Sequence, residues 1–147
     1  MQLTKFTDYS LRVLIAVGVH GDEGLTIGQI AEQFGISKNH LMKVVQRLSS
    51  AGYVETVRGR GGGLRLAVAP QSIGLGKLVR ETEPDFFAVP CLDESRPDVC
   101  PIIPACVLKR ALQRGVREFL HVLDEYTLAD LIAPSRKLKA LLGGAAD

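Results

Sequence analysis

Apolar residues in the first fifty positions recur at intervals of three and four, a spacing that predicts amphipathic helices. The first helix is predicted to begin at Thr7, acting as N-cap, with apolar residues Leu11, Leu14, Ile15 and Val19, and to end in a glycine-flanked turn. A capping-box pattern that opens at Thr26 predicts a short second helix, which ends at Gly35. The chain therefore opens with two helices and two turns.

A third helix is predicted to start at Ser37, its N-cap, and to end at Gly52. One side is apolar and the other is polar and basic. A short helix, a glycine turn and a longer helix with a polar face form the pattern of a helix-turn-helix. The apolar side consists of Leu41, Val44, Val45 and Leu48.

A β-hairpin is predicted directly after the third helix, with strands at 53–58 and 64–68. The glycines between the strands supply the positive φ angles that a tight turn needs. No helix follows these glycines and no Gly-Lys-Ser/Thr sequence is present, which argues against a phosphate-binding loop. A hairpin in this position is a wing, and Arg58 and Arg60 lie at its tip.

The second half is predicted to hold a fourth helix, which Ser72 caps and which cannot continue past Pro84. A long helix from Cys106 to Asp124 and a short helix capped by Thr127 follow. The long helix spans ~28 Å and has a continuous apolar stripe. The rest of the chain is too short to cover this stripe fully. A second copy of the same helix would cover it in a two-fold dimer. Close approach of two helices would also explain Gly115 in mid-helix.

These elements predict a mainly α protein with a small β-hairpin. We expect a winged helix-turn-helix domain at 1–83, a cysteine loop at 84–106, a dimerisation helix and C-terminal helix at 106–142, and a flexible tail at 143–147. No apolar run reaches ~18 residues and no secretory signal opens the chain, so a cytoplasmic protein without a membrane segment is expected.

Charge is unevenly distributed along the chain. Residues 1–80 carry ten lysines and arginines against five acidic residues, whereas residues 81–147 carry eight against eleven, so net charges of +5 and −3 give the overall +2. A basic N-terminal half indicates a polyanionic partner, and the helix-turn-helix pattern makes double-stranded DNA that partner. The predicted DNA contacts are Thr26, Ser37, Lys38, Asn39, His40, Lys43, Arg47, Arg58 and Arg60.

All three cysteines of the chain, Cys91, Cys100 and Cys106, lie in one segment, CLDESRPDVCPIIPAC. Buried cysteines can serve as small hydrophobic residues, but a charged and proline-rich loop is a poor place for core residues. Three thiolates that a loop can bring together favour a soft metal or an iron–sulfur cluster.

The fourth ligand is left open by the residues themselves. His121 lies fifteen residues after Cys106, or ~22 Å along a helix, too far to reach the same site. Lys109 is no ligand at neutral pH. The remaining donors are carboxylates: the local Asp93, Glu94 and Asp98, and the distant Asp8 if a dimer delivers it.

From residue 1 to about residue 142 the chain resembles the family of winged-helix iron–sulfur repressors, and its nitric-oxide-sensitive branch in particular. The motifs that carry the resemblance are MQLTKFTDYSLRVL, SKNHLMKVVQRLSSAGYV, VRGRGGGLRL, LVRETEP, PACVLKRAL and YTLADL. The resemblance implies a homodimer with one iron–sulfur cluster per subunit at the interface, held by the three cysteines and by Asp8 from the partner subunit. A 4Fe–4S cluster fits four such ligands best, and a 2Fe–2S cluster also needs four.

Two positions depart from related sequences. A histidine that serves another branch of the family would fall at Lys109, and the eight residues between Cys91 and Cys100 make a wider gap than in many relatives. The resemblance implies a repressor that binds a palindromic operator and releases it when nitric oxide attacks the cluster. Alternatives are an iron or redox sensor on the same scaffold and a metal-free or zinc-stabilised DNA-binding dimer; no catalytic pair suggests an enzyme.

Overall fold

The first helix, α1 (Lys5–His20), supplies much of the hydrophobic core of the chain. The structure is a computed structural model that describes residues 2–59, 62–96 and 98–142. Thr4, not Thr7, is the N-cap: its backbone is extended and its hydroxyl accepts the Thr7 N–H at 3.3 Å. The predicted cap was wrong because Thr7 is fully buried and its hydroxyl donates to Thr82 at 2.9 Å, a tertiary contact.

The helix-turn-helix consists of α2 (Ile27–Phe34) and α3 (Lys38–Ser50), as predicted. Thr26 and Gln29 form the reciprocal capping box, and Gly35 has left-handed φ and ψ angles of 63° and 32° between the two helices. The Ser37 side chain caps α3 by accepting the His40 N–H at 3.3 Å. Local sequence signals therefore set both helix starts and the turn.

The wing is formed by β1 (Val54–Val57) and β2 (Gly63–Leu66), which pair antiparallel and are shorter than predicted. The region before α2 also contacts this hairpin, because Leu25 and Leu64 exchange backbone hydrogen bonds of 3.2 and 2.7 Å. Gly63, at φ 154°, lies where a Cβ would come within 2.8 Å of the Leu25 backbone. The hairpin is thus anchored to the residue just before α2 through the turn end of β2.

Helix α4 (Leu75–Thr82) begins after Gly74, and Ser72 lies in a preceding 3₁₀ turn. The predicted Ser72 cap was wrong because tertiary pairing determines the start of the helix. The Leu75 N–H donates to Tyr126 O at 2.9 Å, and the Leu128 N–H donates to Ile73 O at 2.8 Å. The chain leaves α4 in an extended conformation just before Pro84, as expected.

The cysteine segment contains two 3₁₀ turns, Pro90–Leu92 and Ile103–Ala105, and leads into the long helix α5 (Val107–Asp124). Thr127 caps α6 (Leu128–Ile132) with a capping box that includes Asp130, and a further helix, α7 (Ser135–Leu142), follows Pro134. The tail predicted at 143–147 lies outside the described residues. No helix among the described residues is long and apolar enough to cross a membrane.

The hydrophobic core joins α1, α2, α3, the wing, α4 and α6, and α5 contributes no buried residue to it. The predicted fold class, mainly α with one small hairpin, is confirmed. The largest fully buried side chains are Leu14, Ile30, Leu41, Leu48, Ile73, Leu78 and Leu128.

Candidate DNA-binding surface and metal centre

Helix α3 presents a polar side to solvent. Its residues Leu41, Val44 and Leu48 are buried, because helical spacing places them together against the core. All five predicted contact residues of the helix are exposed: Lys38, Asn39, His40, Lys43 and Arg47. Two lysines and an arginine beside an asparagine match the donors that bind phosphates and adenine edges.

The ends of α2 and the wing extend this surface. Thr26 and Ser37 are exposed and stand at helix N-termini, where backbone N–H groups favour anions such as phosphates. Arg58 is exposed at the end of β1, and Gly59, at φ 105°, begins the turn of the hairpin. Arg60, the other predicted wing residue, lies outside the described residues.

Two residues of α1 that sequence reasoning did not select lie beside α3. Lys5 and Tyr9 line a shallow cleft of about 150 Å³ together with His40 and Lys43. The rings of Tyr9 and His40 are 6.3 Å apart between centroids and tilted by 32°. The first turns of α1 therefore contact the predicted DNA-reading helix directly, a contact that only the tertiary structure reveals.

Asp8, the candidate fourth ligand, lies on α1 next to Tyr9. Its carboxylate accepts hydrogen bonds of 3.0 and 3.1 Å from Arg12 Nε, and its side chain is 43% exposed. The Arg12 guanidinium in turn lies over the Phe34 ring, 5.7 Å from the centroid. Asp8 is thus accessible from outside the chain and is linked through Arg12 to α2.

Cys91, Cys100 and Cys106 are all free thiols and all half-buried. Cys106 is the N-cap of α5, where its Sγ accepts the Lys109 N–H at 3.3 Å. A helix N-terminus favours negative charge, which suits a thiolate ligand. Within the described part of this single chain, no three His, Cys, Asp or Glu side chains are gathered closely enough to hold a metal ion.

The local carboxylates differ in their surroundings. The Ser95 hydroxyl donates to Asp93 at 2.6 Å and the Ser95 N–H donates at 2.9 Å, and these hydrogen bonds lower the pKa of Asp93. Glu94 and Asp98 are exposed, and His121 is exposed in the last turn of α5. Asp93 is therefore already used in a local turn.

The donor set fits a soft metal or an iron–sulfur cluster. Cysteines that served as core residues would be fully buried, whereas these three are half-buried, unpaired and outside the hydrophobic core. Thiolates are the ligands that iron–sulfur clusters and zinc prefer. Within the described part of the single chain, the three cysteines are gathered neither with one another nor with a fourth donor.

A winged helix-turn-helix with an exposed basic reading helix and a separate amphipathic helix defines a DNA-binding transcriptional regulator. The chain belongs to the Rrf2 family, whose profile, described as "Iron-dependent Transcriptional regulator", matches residues 3–134. Membership of this family confirms the resemblance drawn from the sequence motifs. It also confirms the expectation that the chain is a regulator and not an enzyme.

Two relatives cover almost the whole chain. The HTH-type transcriptional regulator NsrR of Bacillus subtilis is 50% identical over 143 residues, which span 97% of this chain and 97% of that protein. The protein of the same name from Geobacillus kaustophilus is 46% identical, again over 97% of each chain.

Solved structures of the same fold include two regulators with other names. CymR, the global cysteine regulator of B. subtilis, superposes with a TM-score of 0.71 at 28% identity, covering 90% of this chain and 97% of that chain. IscR of T. potens superposes with a TM-score of 0.72 at 26% identity, covering 95% and 91%.

Proposed function

We propose that this protein is a homodimeric repressor that senses nitric oxide through an iron–sulfur cluster. The observation that carries the proposal is that every cysteine lies in one accessible segment outside the core, directly before the exposed helix α5. Thiol ligands and a helix that needs a partner are thereby adjacent in the chain. The division into a DNA-binding part (1–83), a cluster-binding segment (84–106) and a dimerisation part (106–142) follows.

The dimer is supported by the exposure of α5. Over its ~27 Å length no residue is buried, and Val107, Leu108 and Val122 are 68%, 64% and 51% exposed. Apolar area of this extent is stabilised by burial against a partner. Gly115 lies on the same helix, and among the described residues no atom outside its own helical turn lies within 4 Å of where a Cβ would stand, so a second helix could approach closely there.

The cluster ligands that we propose are Cys91, Cys100, Cys106 and Asp8 of the partner subunit. The described part of one subunit does not gather even three donors, so the cysteine segment would have to close around the metal, and Asp8 is accessible on a helix that a partner could present. A 4Fe–4S cluster is preferred, with a 2Fe–2S cluster as the second choice. When bound, such a cluster supplies iron that reacts with nitric oxide, and a carboxylate is the weakest donor of the four.

The route from this site to DNA runs through α1. Asp8, which would hold the iron, accepts a hydrogen bond from Arg12 when it is not a ligand, and Arg12 packs on Phe34 of α2. The neighbouring Tyr9 contacts His40 at the start of α3. Both halves of the helix-turn-helix therefore contact residues next to Asp8, and its release would change their position.

The DNA partner that we propose is a palindromic operator in the cytoplasm. A two-fold dimer places its reading helices about one helical turn apart, ~34 Å. The contact residues are the exposed ones of α3 with Thr26, Ser37 and Arg58, and Arg60 by sequence. A loss of ~3 kcal/mol in operator binding is over a hundredfold in affinity, enough to release a promoter.

The test is DNA binding by anaerobically purified protein, with iron and sulfide assayed on the same sample before and after nitric oxide is added. We expect tight, sequence-specific binding that falls at least a hundredfold as the cluster absorbance collapses. Binding that survives nitrosylation would leave iron supply or redox state as the signal. Colourless protein that contains zinc and no iron would establish the zinc-stabilised dimer instead.

A further inference from the structure

An ion pair joins the far end of α5 to the winged-helix part of the chain. Arg80 Nη1 and Nη2 donate to the two carboxylate oxygens of Asp124 at 2.6 and 2.8 Å, across 44 residues of sequence. Hydrogen bonding to Asp124 raises the pKa of Arg80, and hydrogen bonding to Arg80 lowers the pKa of Asp124. Bidentate arginine–carboxylate contacts of this kind fix the relative orientation of the two side chains as well as their distance.

The backbone around this pair is also held. The Leu75 N–H donates to Tyr126 O at 2.9 Å, one turn before Arg80 and directly after α5. Gly76 lies beneath the pair, where a Cβ would collide with the Asp124 carboxylate and lie 2.8 Å from the Arg80 guanidinium. Helices α4 and α5 therefore meet closely at this point, which we call the α4–α5 junction (Gly76, Arg80 and Asp124).

The two sides of the junction belong to different parts of the molecule. Leu78 of α4 is 1% exposed and belongs to the core of the winged-helix part, whereas α5 has no buried residue. A tilt of about 10° at one end of a ~27 Å helix moves the other end by roughly 5 Å. That exceeds the rise of one base pair, ~3.4 Å.

We propose that Arg80 and Asp124 are positioning residues that fix the angle between the dimerisation helix and the DNA-binding part, and thereby set the half-site spacing of the operator. Neither residue is required to contact DNA. This inference rests on the proposed two-fold dimer, since a spacing preference exists only when two reading helices bind one duplex. It adds a determinant of operator choice outside the reading helix.

The test uses the full-length, cluster-loaded protein and an operator selected by the wild type from random duplexes. Kd is measured for that operator and for versions with one base pair removed or added between half-sites. We expect the wild type to prefer its own spacing at least tenfold and Arg80→Gln to reduce that preference below threefold. Lys77→Gln is the matched control, because it removes the same charge from α4 and Lys77 pairs with Glu81 only at 3.9 Å. The Lys77→Gln protein should keep the wild-type preference for operator spacing.

Asp124→Asn provides a second variant that perturbs the other partner, and thermal unfolding of each protein checks that it folds. A variant that binds all spacings more weakly by one common factor, with the wild-type preference kept, would show a merely structural role and overturn the inference. A wild type that selects no two-fold sequence would overturn the proposed function as well. The two failures are therefore distinguishable.

Discussion

At the scale of single residues, the proposed role of Asp8 would set the metal against Arg12 as its partner. In the isolated chain its carboxylate is bound by Arg12, an exposed i,i+4 pair of the kind that contributes little to stability. A weak pair of this kind would compete little with ligation of a metal ion by the same carboxylate. The local alternatives Asp93, Glu94 and Asp98 sit in the cysteine segment itself, so a substitution at Asp8 separates a partner-donated ligand from a local one.

We expect Asp8→Ala to change the cluster absorbance and to speed loss of iron under nitric oxide by ~10-fold or more, a magnitude typical of lost support at a metal site. Anaerobic visible spectroscopy during titration with nitric oxide measures both. Asp22→Ala, which removes another exposed carboxylate soon after α1, is the matched control. An Asp8→Ala protein with an unchanged spectrum and unchanged sensitivity would exclude Asp8 and return the role to a local carboxylate.

The Arg80–Asp124 pair predicts a pH dependence of stability. The two side chains are 42% and 44% exposed, so solvent screening keeps the effect small. Because Arg80 lowers the pKa of Asp124 in the folded state, the pair contributes modest stability above the unfolded carboxyl pKa of ~3.9, and this contribution is lost as the pH falls through the lower folded value. The Tm difference between wild type and Asp124→Asn should be constant near neutrality and shrink in acid. In an Arg80→Gln background the Tm difference should be much smaller, because only the weaker attraction of His121 then lowers the pKa of Asp124. A difference of the wild-type size in that background would assign the effect to another neighbour.

At the scale of elements, helix α3 shows how far local signals reach. The cap at Ser37, the glycine at 35 and the apolar spacing predicted its bounds, its buried side and its exposed basic side, because each signal acts within one or two helical turns. The same logic succeeded for Thr26 and Thr127. DNA contacts on the exposed side remain a prediction.

We expect two substitutions on α3 to affect DNA binding differently. Asn39→Ala should cost ~1–3 kcal/mol and relax specificity at one base pair, since an asparagine reads an adenine edge. Lys43→Ala should weaken all sequences similarly and lower the salt slope of binding by ~1, as for a phosphate contact. Affinities for an operator and its single-base variants at several salt concentrations test both; equal behaviour of the two variants would contradict the assignment.

At the scale of the whole molecule, α5 is the helix on which the proposed assembly depends. Val107, Leu108 and Val122 remain exposed in the described part of the chain, so the surface they form is available to a second copy. The cysteine segment ends at the N-terminus of this helix, so dimerisation and ligand assembly would occur at one place. A regulator of this design would lose its cluster and its DNA geometry together.

We expect Leu108→Glu to prevent dimerisation, because a buried leucine contributes about 1.5–3 kcal/mol and a two-fold interface counts it twice. Dimer affinity should fall more than a hundredfold, since ~3 kcal/mol is already that factor. Analytical ultracentrifugation over a range of concentrations measures it. Leu141→Glu on α7, where the leucine is 71% exposed, is the control and should remain dimeric. A dimeric Leu108→Glu protein would place the interface elsewhere.

The sequence by itself determined the helix-turn-helix, the wing, the long helix and the concentration of cysteines, because caps, periodicity and glycine turns act over a few residues. Only the tertiary structure decided contacts between distant positions. It buried Thr7 against Thr82, replaced the predicted Ser72 cap by pairing with Tyr126, and joined Arg80 to Asp124. Such contacts depend on how elements pack, and no local pattern encodes which distant partner satisfies a given polar group.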